Sequence, residues 1–242
     1  MKTAFRIISL ANSPRRQLFH RPPDTLHLDW RFIDASTSTA EGVSIDERLW
    51  VHHMNRSVVQ GEIGCFSSHV RAWRELLADP ALDQIIVIED DVFVDWIRLE
   101  RVSQVDWRKL NIDYLKLHAQ AAPSFRLLRK AYPVTGHHIV QYTRMALGTQ
   151  AYLLTRSAAE RFERVLSVMS RPIDNEMDRP WGTGIPVMGL SPSPVIELSL
   201  PSEIENRELD QRRRPLSHLI GRTIERARGR AYRWFAPSVR IP

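Results

Sequence analysis

The stretch QIIVIEDDVFV, residues 84–94, carries a run of apolar, largely β-branched side chains straight into three consecutive carboxylates, Glu89, Asp90 and Asp91. The apolar half predicts a buried strand. Side chains alternate along an extended segment, so Glu89 and Asp91 project to one side and Asp90 to the other. Like charges a few ångströms apart repel by about 1 kcal/mol in water and by more where water is excluded. The cluster therefore calls for a cation or a shared proton, and its oxygen ligands suit Mg²⁺ or Mn²⁺. The plain alternative is a solvated acidic turn. Placement favours a site, because ligands of open α/β sheets bind beyond the carboxyl ends of the strands.

Outward from this strand, β and α signals alternate. TAFRIISL (3–10) reads as a first strand, followed by a turn at Asn12, Ser13 and Pro14 with Arg15 and Arg16 just beyond, and HLDWRFIDA (27–35) reads as a second strand. GEIGCFSSHVRAWRELLADP (61–80) is the clearest helix: Phe66, His69, Val70, Trp73, Leu76 and Leu77 recur at helical spacing, and Pro80 stops it. DYLKLHA (113–119) is a further strand, and ALGTQAYLLTRSAAERFERVL (146–166) runs from a strand through a turn into a helix. The alternation predicts an α/β fold with a mostly parallel sheet covered by helices.

A chain of 242 residues, 43% of them hydrophobic, is long enough for one large α/β domain with an appendage. Cys65 is the sole cysteine, which excludes an intrachain disulfide and fits a reducing compartment. His52 with His53, and His137 with His138, lack the cysteine partners of a structural zinc site. Arg6 interrupts the opening MKTAFRIISLANS and no small-residue cleavage site follows, so it reads as a strand and not as a secretion signal. No uncharged apolar stretch approaches the roughly 18 residues needed to span a bilayer, and a cytoplasmic protein is expected.

The net charge of +6 is unevenly placed: from Arg207 onward ten arginines face three acids, whereas the first 206 residues sum to about −1. Composition thus divides the chain into a nearly neutral domain, 1–206, and a basic tail, 207–242. In the tail, Leu219, Ile220, Ile224, Ala227, Ala231, Trp234 and Phe235 fall on one helical stripe with Arg222, Arg226 and Arg233 beside it. That is the pattern of a helix lying on an anionic membrane surface, peripheral to the inner face of the cell membrane. Gly221 and Gly229 argue instead for a disordered, solvated tail. The near-neutral domain has no basic groove with interleaved aromatics, so no nucleic acid is expected.

Four blocks, GEIGCFSSHVRAW (61–73), IVIEDDV (86–92), LGTQAYLLTRSAAERF (147–162) and RPIDNEMDRPW (171–181), occur in an order that resembles glycosyltransferase family 25. These are the lipooligosaccharide-biosynthesis galactosyl- and glucosyltransferases, related to collagen galactosyltransferases. The resemblance implies a GT-A-type fold, a Rossmann-like α/β/α sandwich. It implies inverting transfer of a hexose, galactose or glucose, from a UDP-sugar donor to a saccharide or glycolipid acceptor, in lipopolysaccharide, lipooligosaccharide or other surface glycan biosynthesis. It further implies that Mn²⁺ or Mg²⁺ joins Asp91, with Asp90 and Glu89 as further ligands, to the UDP diphosphate.

The same resemblance sets Arg15 and Arg16 in a basic turn near the nucleotide, where a guanidinium meets diphosphate in bidentate fashion; a solvated turn is the alternative. Glu62, Ser68 and His69 belong to the family's G-E-x-G-C-x-x-S-H block. Each also has a structural reading: a first-turn helix acid, a hydroxyl bonded to backbone, and a hydrogen-bonded core histidine. Gly148 and Thr149 suggest close backbone approach to a ligand, or a strand bend. Asp174 matches the family's P-x-D position and is the expected base for the acceptor hydroxyl, with Glu176 next in line; Asp174 reads equally as a helix N-cap. Cys65 reads as a small buried residue. Two other classes stay open: a metal-dependent phosphoesterase, with His118 as a further ligand, and a non-catalytic sugar-nucleotide-binding relative.

Overall fold

The apolar run of residues 85–88 lies in a mixed eight-stranded sheet. The structure is a computed structural model and describes residues 1–19, 25, 27–120, 123–198, 216–235 and 239–241. The chain begins with β1 (Thr3–Ser9), α1 (Arg15–Leu18), β2 (Asp29–Asp34), β3 (Ser44–Ile45), α2 (Glu47–Met54) and α3 (Gln60–Ala78). It continues through β4 (Gln84–Glu89), β5 (Val92–Val94), α4 (Trp96–Ser103), β6 (Tyr114–Lys116), β7 (Phe125–Arg129), β8 (His138–Tyr142), β9 (Ala151–Thr155) and α5 (Arg156–Val165). Then follow β10 (Val168–Met169), α6 (Ile173–Met177), α7 (Pro180–Thr183), β11 (Met188–Ser191), β12 (Val195–Glu197) and α8 (Leu216–Phe235).

The sheet order is β2-β1-β4-β9-β6-β11-β8-β7. Six of the eight strands share one direction, while β9 and β8 run against it. The expected mostly parallel sheet is therefore interrupted near its centre, where β9 inserts antiparallel between β4 and β6. No turn separates β9 from its helix: Thr155 ends the strand and caps α5, its hydroxyl accepting from Ala158 N at 3.4 Å.

Between Gln84 and Glu89, strand β4 is apolar because both of its faces are covered. Ile85 and Val87 join a core with Trp73 and Leu76 of α3 and Phe162 of α5. Ile86 and Ile88 join a second core with Trp96 and Leu99 of α4 and Trp107. Each such side chain taken from water contributes about 1.5–3 kcal/mol. Helix α3 packs its predicted stripe on the sheet, and Asp79 with the following Pro80 ends it. Gly64 is required there, because an added Cβ would sit 2.3 Å from the Ser36 carbonyl oxygen.

Helix α8 packs on the domain with its polar side. His218 Nδ1 meets the His52 carbonyl at 2.6 Å, and Glu225 pairs with Arg179 at 3.0 Å and accepts from Trp181 Nε1 at 3.1 Å. Gly221 and Gly229 stand at the closest approaches, against His52 and Trp181. The stripe Leu219, Ile220, Ile224, Ala227, Ala231, Trp234 and Phe235 faces away and is exposed, to 81% and 84% at the last two. The compositional boundary at 206/207, and Arg207, Arg212, Arg213 and Arg214, lie outside the described residues. No described helix is long and apolar enough to cross a membrane.

Candidate functional site

Registry brings the ends of β1 and β4 and the start of β9 together, with Ile8 opposite Glu89 and Ile88 opposite Ala151. Glu89 is the last residue of β4, and Asp90 and Asp91 form the turn into β5. Glu89 and Asp90 point apart as alternation predicts, while Asp91, in the turn, approaches the same Arg15 as Asp90. Asp90 turns toward β1, accepting from Ser9 Oγ at 2.5 Å and from Arg15 Nη1 at 3.2 Å. Glu89 lies on the other side, accepting from Thr149 Oγ1 at 2.6 Å with His69 Nε2 at 3.4 Å.

A relay from the core orients Glu89. Trp73 Nε1 donates to Tyr152 Oη at 2.9 Å, and Tyr152 Oη lies 2.8 Å from His69 Nδ1. A tyrosine that accepts from tryptophan is free to donate onward, which leaves the His69 Nε2 proton facing Glu89. His69 is thus a buried core histidine whose contact at the site is Glu89. Burial pushes Glu89 up, but the hydrogen bonds from His69 and Thr149 outweigh it and hold the carboxyl below its usual range.

Asp91 is the opposite case. Burial, followed by the charge of Glu89, pushes it up to about 7 against the nearby Arg15 guanidinium at 3.7 Å. Its Oδ1 is buried without a hydrogen-bond partner among the described residues. His118 has the same character: Nδ1 donates to the Val195 carbonyl at 3.1 Å, leaving a buried Nε2 lone pair with no partner among the described residues, 3.9 Å from Glu197 Oε2. Glu197 also acts on Asp91, and His118 on Glu89. An orphaned, buried carboxylate oxygen and an orphaned imidazole nitrogen are donor types that suit Mn²⁺ or Mg²⁺, but among the described residues the ligand atoms that lie within 4.8 Å of one another are those of Cys65, His69 and Glu89, without Asp91 or His118. Asp90 is the least suited of the three predicted ligands, since Ser9 and Arg15 already occupy it. In the group of Cys65, His69 and Glu89, both His69 nitrogens already face Tyr152 and Glu89.

A second acidic group supports the site from below. Lys116 and Asp178 form an ion pair at 3.0 Å with side chains 1% and 0% exposed. Asp178 accepts from Ala146 N at 2.9 Å and Leu147 N at 2.7 Å, while Lys116 Nζ donates to the carbonyls of Leu147 and Gly148. Leu147 and Gly148 have φ of 56° and 73°, a left-handed pair that this network holds in place. Thr149 is thereby aimed at Glu89. Replacing one partner leaves a buried charge unmatched, so Lys116→Met is expected to cost about 3–5 kcal/mol of stability, measured by urea denaturation. A loss below about 1 kcal/mol would remove this pair from the support of the loop.

The remaining predicted residues divide. Asp174 is partly buried at the second position of α6, whose N-cap is Pro172; its Oδ2 accepts from Gly148 N at 3.2 Å and its Oδ1 from Asn175 N at 2.8 Å. The N-cap expectation is therefore corrected: Asp174 braces the site loop. Glu176 is buried between Arg171 at 3.0 Å and Arg179 at 2.7 Å, away from the acidic cluster. Glu62 pairs with Arg56 at 2.5 Å and closes the start of α3 through Val59 N. Ser68 joins the Gly64 carbonyl to Ser36 N. Arg16 donates to the Ser9 carbonyl and pairs with Asp34 at 2.5 Å. Glu197 escaped the sequence reading, although PSPVIE repeats the pattern of an apolar run closing on an acid.

The family model for glycosyltransferase family 25 (LPS biosynthesis protein) matches residues 2–177. The chain belongs to that family. Human procollagen galactosyltransferase 2 is 48% identical over 67 residues, covering 27% of this chain and 10% of that protein. Human inactive glycosyltransferase 25 family member 3 is 32% identical over 124 residues, covering 46% of this chain and 21% of its own length. The chain thus spans only a minor part of these relatives. Among solved structures, a glycosyltransferase involved in glycosylation of the major capsid of PBCV-1 is 14% identical, with a TM-score of 0.32 over 68% of this chain and 65% of that one.

Proposed function

We propose that the chain is a metal-dependent, inverting hexosyltransferase of GT-A type. It moves galactose or glucose from a UDP-sugar to a saccharide or glycolipid acceptor of a bacterial-type surface glycan such as lipopolysaccharide. The observation that carries this reading is the strand-end pair of an ionised Glu89 and a proton-holding Asp91, with a buried, unpartnered Oδ1 among the described residues. Asp91 and Glu89 would hold Mn²⁺ or Mg²⁺, which when bound stabilises the charge of the departing diphosphate. Arg15, beside Asp90 and Asp91, orients the same diphosphate. Thr149 and His69 fix Glu89 toward the nucleotide. Asp174 accepts the proton of the acceptor hydroxyl as the new bond forms.

Incubating the full chain with UDP-galactose or UDP-glucose and Mn²⁺ tests this, since slow hydrolysis without an acceptor releases UDP. A relative named inactive favours a second reading, a non-catalytic binder, for which the same incubation yields binding without UDP. Release of phosphate from simple esters instead would mark a phosphoesterase.

The exposed apolar stripe of α8, with exposed Arg228 beside it, supports a membrane-surface role. Ile224→Asp combined with Trp234→Asp is expected to reduce binding to phosphatidylglycerol vesicles about tenfold in co-sedimentation, with thermal stability unchanged. Equal sedimentation of variant and wild type would rule the role out.

A further inference from the structure

Between α8 and the domain lies a cavity of about 530 Å³, within the range of small-molecule sites. Seven arginines line it. Two of them, Arg171 and Arg179, are tied to Glu176 and Glu225. The other five, Arg144, Arg222, Arg226, Arg230 and Arg233, have no carboxylate partner among the described residues. A charged helix ordinarily turns arginines outward, where water separates them. Here residues of α8 and of the segment before β9 line one concavity, and among the described residues Glu225 is the one carboxylate on its lining. Such convergence costs repulsion that a bound anion relieves, and the walls of a concavity focus the potential.

Two further observations show what kind of anion fits. Trp181 offers an aromatic wall beside the guanidinium groups, the mixture of apolar surface and a few fixed polar groups that defines organic-ligand sites. The cavity also adjoins the proposed base, Asp174, in sequence. Asn175 lines it, Asp174 is the next residue, and Asp174 bonds Gly148 beside the Thr149 that holds Glu89. The positive field is felt at its edge: burial, then the Arg171 charge, push His53 down to about 4, and its Nδ1 lies 3.0 Å from Arg171 Nη2.

We propose that this arginine-lined cavity is an acceptor subsite that binds the anionic group, phosphate or carboxylate, of an acidic acceptor saccharide. The inference rests on the transferase reading for the word acceptor, while anion binding stands without it. Guanidinium forks suit both oxyanions, and phosphate, with more oxygens and charge, binds the tighter of the two.

Calorimetry on the full chain with glucose 6-phosphate, glucuronate and glucose tests the proposal. Both anionic sugars are expected to bind at least about tenfold more tightly than glucose, and to weaken as salt is raised. Arg226→Gln with Arg230→Gln, and separately Arg144→Gln on the domain side, are each expected to weaken both anionic sugars about tenfold while UDP affinity changes less than about twofold. Equal affinity for glucose and its phosphate, or wild-type affinity in both variants, overturns the proposal. So does a matching loss of UDP affinity, which would assign the cavity to the donor, or binding of phosphatidylglycerol vesicles without either acidic sugar, which would assign the arginines to lipid headgroups. UDP release is measured in the same preparation. Anionic sugars bound through these arginines without UDP release would support the anion subsite and sink the transferase reading; UDP release without such binding does the reverse.

Discussion

Asp91→Asn is expected to abolish cation-dependent donor binding and, in the same protein, to remove a loss of cation-free stability at neutral pH. The folded carboxyl sits at about 7 against an ordinary 3.8. The native state therefore holds this proton more tightly than the unfolded chain. Its stabilising contribution is complete below the unfolded value and is lost as pH rises through the folded one, between about 4 and 7. Asparagine keeps the size and stays neutral, so the variant should show a flatter dependence of melting temperature on pH than the wild type. The cation competes with the same proton, so wild-type Mn²⁺ affinity should climb with pH until somewhat above 7. Loss of one hard anionic ligand should reduce UDP affinity in Mn²⁺ to its value in a chelator. Unchanged Mn²⁺-dependent UDP affinity in the variant would sink the assignment, whatever its stability does.

Asp174→Asn is expected to lower transfer to a true acceptor by about 10²–10⁴-fold, the range for a lost general base, with UDP-sugar binding nearly unchanged. Both carboxylate oxygens accept backbone N–H groups, from Gly148 and Asn175. Asparagine supplies one acceptor in place of two, so a stability loss of about 1 kcal/mol accompanies the change even if Asp174 is only a brace. The two roles separate in the kinetics. A base defect appears in kcat more than in KM, because the amide oxygen cannot take up a proton at neutral pH. A bracing defect shifts Thr149 and Glu89 and appears in donor affinity. Transfer within about twofold of wild type excludes Asp174 as base.

The parts of this fold that were legible from residues alone are those specified locally. The β4 segment betrays itself because a strand covered on both faces must be apolar between its ends, and α3 because its stripe, first-turn Glu62 and terminal Pro80 agree. The antiparallel insertion of β9 was not legible, since strand direction leaves no mark on side-chain alternation. Glu176 looked available as a base because its partners Arg171 and Arg179 are a common residue type whose aim is set by tertiary packing. Glu197 ends a strand of only three residues, too short to carry a periodic signal. Helix α8 shows the same limit from the other side. Its apolar stripe was plain, but the glycines that argued for disorder are where the helix comes closest to the domain, and the polar side is the one that packs.

The segment from Ala146 to Gly148 is neither helix nor strand, yet its three backbone N–H groups all end on carboxylates, two on Asp178 and one on Asp174. Amide hydrogens in an irregular loop ordinarily exchange with solvent through cheap local fluctuations. Here, release of the Ala146 and Leu147 hydrogens requires breaking into a fully buried ion pair. Their exchange with deuterium should therefore follow that of the neighbouring β4 and β9 amides. The wall beside Glu89 is in that sense part of the core's cooperative unit, set before any ligand arrives, so that binding need not bear the cost of ordering it.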